Sequence, residues 1–190
     1  MAGSEVTDSV VGAVLDSIDR EELIELALEV ANIDSPPGME KPVSDFVLAW
    51  LEDNGFEASQ VAMVPDRPNV VGRIPGTGGG NDLIFNAHMD VAWGPEERRW
   101  MNDPSNPFYT SAWREGETLV GNGLVNDKGP LACTLIAAKA IKSAGVELDG
   151  DLIVTGVCGE IGQEPVDEYS APEYLSKEVG TRYLITHGVI

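Results

Sequence analysis

The run Leu152-Ile-Val-Thr-Gly-Val-Cys158 is apolar almost throughout and does not alternate with polar residues. A segment of that length and pattern reads as a strand buried on both faces. Such a strand needs a layer of structure on each side of its sheet, which favours helices flanking a sheet over an open meander. The residues before it fit this demand. The turn Asp149-Gly150-Asp151 follows a helix expected over about 130–143, with Leu131, Leu135, Ala138 and Ile141 in register.

The remaining pattern supplies more elements of both kinds. Asp19 followed three residues later by Glu22 reads as a capping box, and Leu23, Leu26, Ala27 and Val30 then share one helical face until Ser35-Pro36-Pro37-Gly38 stops the helix. Pro42 opens a second helix with Val43, Phe46, Val47, Trp50 and Leu51 as its inner stripe, and Asn54-Gly55 provides the exit. Residues 69–74 and 82–87 read as strands joined by the glycine-rich loop 75–80, which lacks the GKS/T and following helix of a phosphate loop. A short strand is expected at 118–121, then a turn at 122–129. The order predicts an α/β fold with a mixed, largely parallel sheet flanked by helices.

Composition narrows the function classes. With 190 residues, 43% hydrophobic, the chain suits one domain with its own core. Acidic residues outnumber basic ones 32 to 12, giving a formal charge of −20. That field repels phosphate backbones and anionic lipid, so neither nucleic acid nor membrane is expected as a partner. The start, MAGSEVTDSVV, lacks a basic and apolar leader pattern, and no apolar run is long enough to span a bilayer, so a cytoplasmic protein is expected. Cys133 and Cys158 sit in apolar surroundings without CxxC spacing and are expected to be buried, reduced thiols.

Three polar clusters follow strand-like segments: His88-x-Asp90, Asn126-Asp127-Lys128-Gly129, and Glu160 with Glu164. In open α/β sheets ligands bind beyond the carboxyl ends of strands, so the clusters are expected to meet in one crevice. Imidazole with carboxylates suits zinc and its neighbours, and Asp90 is placed to orient the ring of a ligating His88. The segment 91–118, with Trp93, Trp100, Phe108, Tyr109 and Trp113, is long enough to wall such a site, or to pack as plain core.

HMDV at 88–91, Trp100 with Asp103-Pro104 and Pro107-Phe108, GNGLVNDKGP at 121–130, GEIG at 159–162 and IDSPPG at 33–38 carry a resemblance. Together they resemble the metal-dependent amidohydrolases that include carboxypeptidase G, acetylornithine deacetylase, succinyl-diaminopimelate desuccinylase and aminoacylase. The resemblance implies a zinc-exopeptidase-like catalytic domain with two metal ions, bridged by an aspartate and a water. It makes His88 and Glu160 metal ligands and Asp90 the orienter of His88. Two positions depart from the pattern. The bridging aspartate falls on Asn126, and the general-base glutamate falls on Gly159. A neutral amide offers no charge to offset the repulsion between two dications, so one ion, or a weak second one, is expected.

The expected function is therefore metal-dependent hydrolysis of a C–N bond, an amide of a small N-acyl amino acid or peptide. The cofactor is Zn, or Mn or Co, one or two ions per site, at His88, Asn126 and Glu160. Glu164 is the first candidate for the displaced proton acceptor, ahead of Asp127 and His187. An aminohydrolase acting on an unusual or aromatic amine through an altered site, and a catalytically silent binding or regulatory relative, are the alternatives. Residues 1–190 would form the N-terminal part of a single catalytic domain, with the rest of that domain and a lid or dimerisation domain outside this chain. A companion chain and a homo-oligomeric assembly follow as expected partners. Taken alone, 152–158 and a further strand at 183–185 are expected to lack sheet neighbours.

Overall fold

The computed structural model describes residues 8–92, 105–109, 111–161 and 176–190. Helix α1 (Asp8–Asp16) leads into α2 (Arg20–Asn32), whose first turn is capped by the Asp19 carboxylate accepting from the N–H groups of Glu21 and Glu22. Glu22 completes no reciprocal box and pairs instead with Lys139. Helix α3 (Lys41–Asp53) has Pro42 in its first turn and buries Val43, Val47 and Leu51, spaced four apart on one face. Strands β1 (Glu57–Val61), β2 (Asn69–Ile74) and β3 (Leu83–His88) follow. A hairpin of β4 (Ala112–Glu115) and β5 (Thr118–Gly121) precedes helix α4 (Gly129–Ser143), strand β6 (Leu152–Val157) and helix α5 (Thr181–Thr186).

The main sheet has the order β1-β2-β6-β3. It is mixed and flanked by helices, as expected, but not largely parallel: β6 runs parallel to β3, while the β1/β2 and β2/β6 pairs are antiparallel. All six residues of β6 are buried, as its continuous apolar run requires. Alternate residues serve two cores. Leu152 and Val154 join Leu26, Val47, Leu51, Leu131 and Leu135 under α2, α3 and α4, while Ile153 and Val157 meet Val71 and Leu184 on the other face.

Several expectations are corrected. Strand β6 has neighbours on both sides, because β2 and β3 both pair with it and are not a hairpin with each other. Residues 183–185 belong to α5 and not to a strand, with Leu184 N–H donating to Gly180 O at 3.2 Å and His187 N–H to Tyr183 O at 3.1 Å. Strand β5 lies outside the main sheet, and β1, which has no clean alternation, joins it through antiparallel pairing to β2. Cys158 is buried but Cys133 is exposed on α4. Trp93 and Trp100 lie outside the described residues. Tyr109 lines a small recess with Ala31 and Asn122, so this aromatic packs beside the end of α2, while Phe108 is exposed. Among the described residues no helix is long and apolar enough to cross a membrane.

Candidate metal centre

The parallel register sets the site. His88 pairs with Val157, and Met89 N–H still donates to Val157 O at 2.7 Å, so the chain after β3 and the chain after β6 leave the sheet side by side. His88, 6% exposed, shares its face of β3 with Asn86, which is held by hydroxyl donations from Thr155 at 2.7 Å and Thr181 at 3.2 Å. The third strand-end cluster arrives from the β5–α4 connection. Residues 124–128 form one wide helical turn in which Asn126 alone is extended, with φ −139° and ψ 91°, and this turns its side chain toward β3.

His88, Asn126 and Glu160 meet. His88 Nε2 lies 2.9 Å from Asn126 Oδ1 and 3.5 Å from Glu160 Oε2, and Nδ1 lies 2.9 Å from the Asp90 carbonyl oxygen. A neutral imidazole carries one N–H, so it can donate at one of these nitrogens only. With that proton on Nδ1 and given to Asp90 O, the Nε2 lone pair faces two oxygen acceptors. Three donors of electron density then converge with no proton among them, an arrangement that a cation relieves. Tetrahedral ligands at bond lengths near 2.0–2.1 Å stand about 3.3 Å apart, close to the His88–Glu160 separation. The residues thus fit one divalent ion. Among the described residues no three His, Cys, Asp or Glu side chains group as a ligand set, since the third donor is the amide of Asn126.

Asp90 is fully buried and its carboxylate faces Glu160 more than His88. Oδ1 accepts from Glu160 N–H at 3.2 Å and Oδ2 from Ile161 N–H at 2.7 Å, while Oδ1 stands 3.6 Å from His88 Nδ1. One carboxylate therefore ties both ligand segments together, and the Asp90 carbonyl makes the closer contact to the ring.

Position 159 is closed to a side chain. Gly159 has φ +77°, and a Cβ there would sit 2.4 Å from Ser176 O and 2.7 Å from Val179 Cγ2. The general base of the resemblance is absent for a backbone reason as well as a sequence one. Among its replacements, Glu164 lies outside the described residues. Asp127 lines the site, with Oδ2 accepting from His88 N–H at 3.1 Å. His187 caps α5 in exposed surroundings, its ring 4.0 Å from that of Tyr183 and away from the cleft. The cleft has a volume of about 410 Å³, and Lys177, Thr181 and Arg182 stand on its wall with Asp127, His88 and Glu160.

Several supporting residues gave no functional signal in the sequence. Asn69 accepts from Cys158 N–H at 3.1 Å and donates to Val179 O at 2.7 Å, joining the β6 exit to the turn over Gly159. Arg67 and Glu40, 1% and 0% exposed, form a buried ion pair, with Nε 3.1 and 3.0 Å from the two carboxylate oxygens. Burial pushes the neighbouring Cys158 thiol up to about 12, so it stays protonated and donates to Arg67 O. Lys128 is 1% exposed, and burial lowers its ammonium to about 8 against the pull of Asp34 and Asp90. Only Lys128, within the quoted NDKG, stood inside a motif that could have marked it.

Residues 84–185, more than half of the chain, match the profile of peptidase family M20/M25/M40. N-formyl-4-amino-5-aminomethyl-2-methylpyrimidine deformylase of Bacillus subtilis (strain 168) is 35% identical over 146 residues, which are 74% of this chain and 33% of the relative. Succinyl-diaminopimelate desuccinylase of Methylocella silvestris is 29% identical over 139 residues, 70% of this chain and 34% of the relative. The chain thus spans about a third of the length of these curated relatives. Aminopeptidase PepT of Bacillus cereus superposes with a TM-score of 0.60 at 20% identity, over 76% of this chain and 38% of PepT, a likeness of fold. The profile match takes in all three segments that meet at His88, and the chain belongs to peptidase family M20/M25/M40.

Proposed function

We propose that the protein carrying this chain is a metal-dependent hydrolase of a C–N bond, acting on the amide of a small N-acyl compound. The observation that carries this reading is the convergence of Asn126 Oδ1 at 2.9 Å and Glu160 Oε2 at 3.5 Å on His88 Nε2, with Nδ1 turned to the Asp90 carbonyl. A divalent ion, Zn or else Mn or Co, would be held there by these three residues, and when bound it supplies Lewis-acid activation of water and of the amide carbonyl. Asp90 fixes the ring through its carbonyl and the Glu160 backbone through its carboxylate. The proton from water goes to a carboxylate other than position 159, for which Glu164 and the cleft-lining Asp127 are the candidates. The neutral amide of Asn126 favours a single ion. The deformylase and desuccinylase relatives support an acyl amide as substrate, and a formyl amide on an aminopyrimidine is the first compound to assay. Companion residues from the rest of the protein, in the same or another chain, would complete the site and its oligomer.

A catalytically silent relative is the second reading, favoured by the closed position 159. Elemental analysis of the purified full protein separates the two. The enzyme reading expects at least one ion per site and hydrolysis of an N-formyl or N-acyl amine, both abolished by His88→Ala. Full metal content and turnover in that variant would refute the ligand assignment, and a metal-free, inactive wild type would favour the silent relative.

A further inference from the structure

The loop 33–35 leaves α2 and brings no side chain to the cleft, yet it touches two of the three segments that meet there. Ser35 is fully buried. Its hydroxyl donates to Met89 O at 2.7 Å, and its carbonyl accepts from Val91 N–H at 3.0 Å, so one residue grips the chain on both sides of Asp90. Two residues earlier, Ile33 O accepts from the ammonium of Lys128, which is itself buried and lies two positions past Asn126. The end of α2 is thereby bonded to the His88 segment through Ser35 and to the Asn126 segment through Ile33. A loop needed only to end a helix requires neither bond, since Ile33 N–H already closes the helix on Val30 O.

We propose that the loop 33–35 is a brace that sets the position of His88 relative to Asn126, with Ser35 and Lys128 as positioning residues for the ion. The proposal rests on the metal reading above. Loss of an outer hydrogen bond to a ligand segment characteristically weakens metal affinity about 10–100-fold, and the brace acts on two such segments at once. Ser44 supplies a matched comparison, because it is equally buried, accepts from Gln60 Nε2 at 3.0 Å and neither lines the cleft nor bonds to a ligand segment.

The test titrates the metal-free full protein with Co²⁺ alone, reading the dissociation constant and the visible spectrum, and measures the metal-free thermal midpoint beside them. Ser35→Ala and Lys128→Met should weaken Co²⁺ binding about 10–100-fold and alter the spectrum. Ser44→Ala should lower the midpoint while leaving the affinity and spectrum unchanged. Wild-type affinity and spectrum in Ser35→Ala would overturn the brace and leave the metal reading intact, as would an equal loss of affinity in Ser44→Ala. A wild type that binds no Co²⁺ would overturn both. If Lys128→Met does not fold, Ser35→Ala decides.

Discussion

At the scale of single residues, Gly159 shows how a backbone can decide chemistry. Its φ of +77° and the 2.4 Å approach of Ser176 O to a would-be Cβ leave no room for any side chain, let alone a glutamate. Gly159→Ala should therefore cost about 1–3 kcal/mol through strain and overpacking, read as a lower thermal midpoint. An unchanged midpoint would show that the turn at 176–180 yields freely. His88, Asn126 and Glu160 were legible in the sequence as residue types at motif positions, and the structure brings them together. The contacts of Asp90 were less legible. Spacing of two from a histidine suggests a carboxylate on the ring, whereas the fold gives the ring the Asp90 carbonyl and turns the carboxylate to the Glu160 and Ile161 N–H groups.

Among the elements, those with strong local periodicity are legible in the sequence, and those defined by their neighbours are less so. Helices α2, α3 and α4 carry apolar stripes at helical spacing, and β6 announces its double burial by a continuous apolar run. Strand β1 has a weak pattern and becomes a strand by pairing with β2. Residues 183–185 look like a strand by composition, but the helix at Thr181–Thr186 packs Leu184 against Ile153 and Val157, so burial overrides the local preference. Helix α3 also approaches the sheet closely at one point. A Cβ on Gly72 of β2 would lie 2.7 and 2.9 Å from the two methyl carbons of Leu51, which is 1% exposed. Gly72→Ala should thus lower stability by about 1–3 kcal/mol in chemical denaturation, and the double variant with Leu51→Ala should lose less than the sum of the two single losses. Additive losses would place the strain elsewhere.

For the whole molecule, charge and topology act at long range. A formal charge of −20 on 190 residues opposes compaction by self-repulsion. Added NaCl should therefore raise the thermal midpoint over the range in which the Debye length falls from about 30 Å to about 8 Å, and a midpoint indifferent to salt would mean the repulsion is already neutralised locally. The sequence by itself determined the helices α2, α3 and α4, the double burial of β6, the chemistry of the three donors and their order, because periodicities of two and 3.6 residues and residue types are local properties. The tertiary structure alone decided that β6 separates β2 from β3, that His88 meets Asn126 from 38 residues away, that Asp90 reaches Ile161 across 71, and that Ser176 closes position 159. Those outcomes depend on register and crossing between distant segments, where one residue of slip would turn every side chain to the other face.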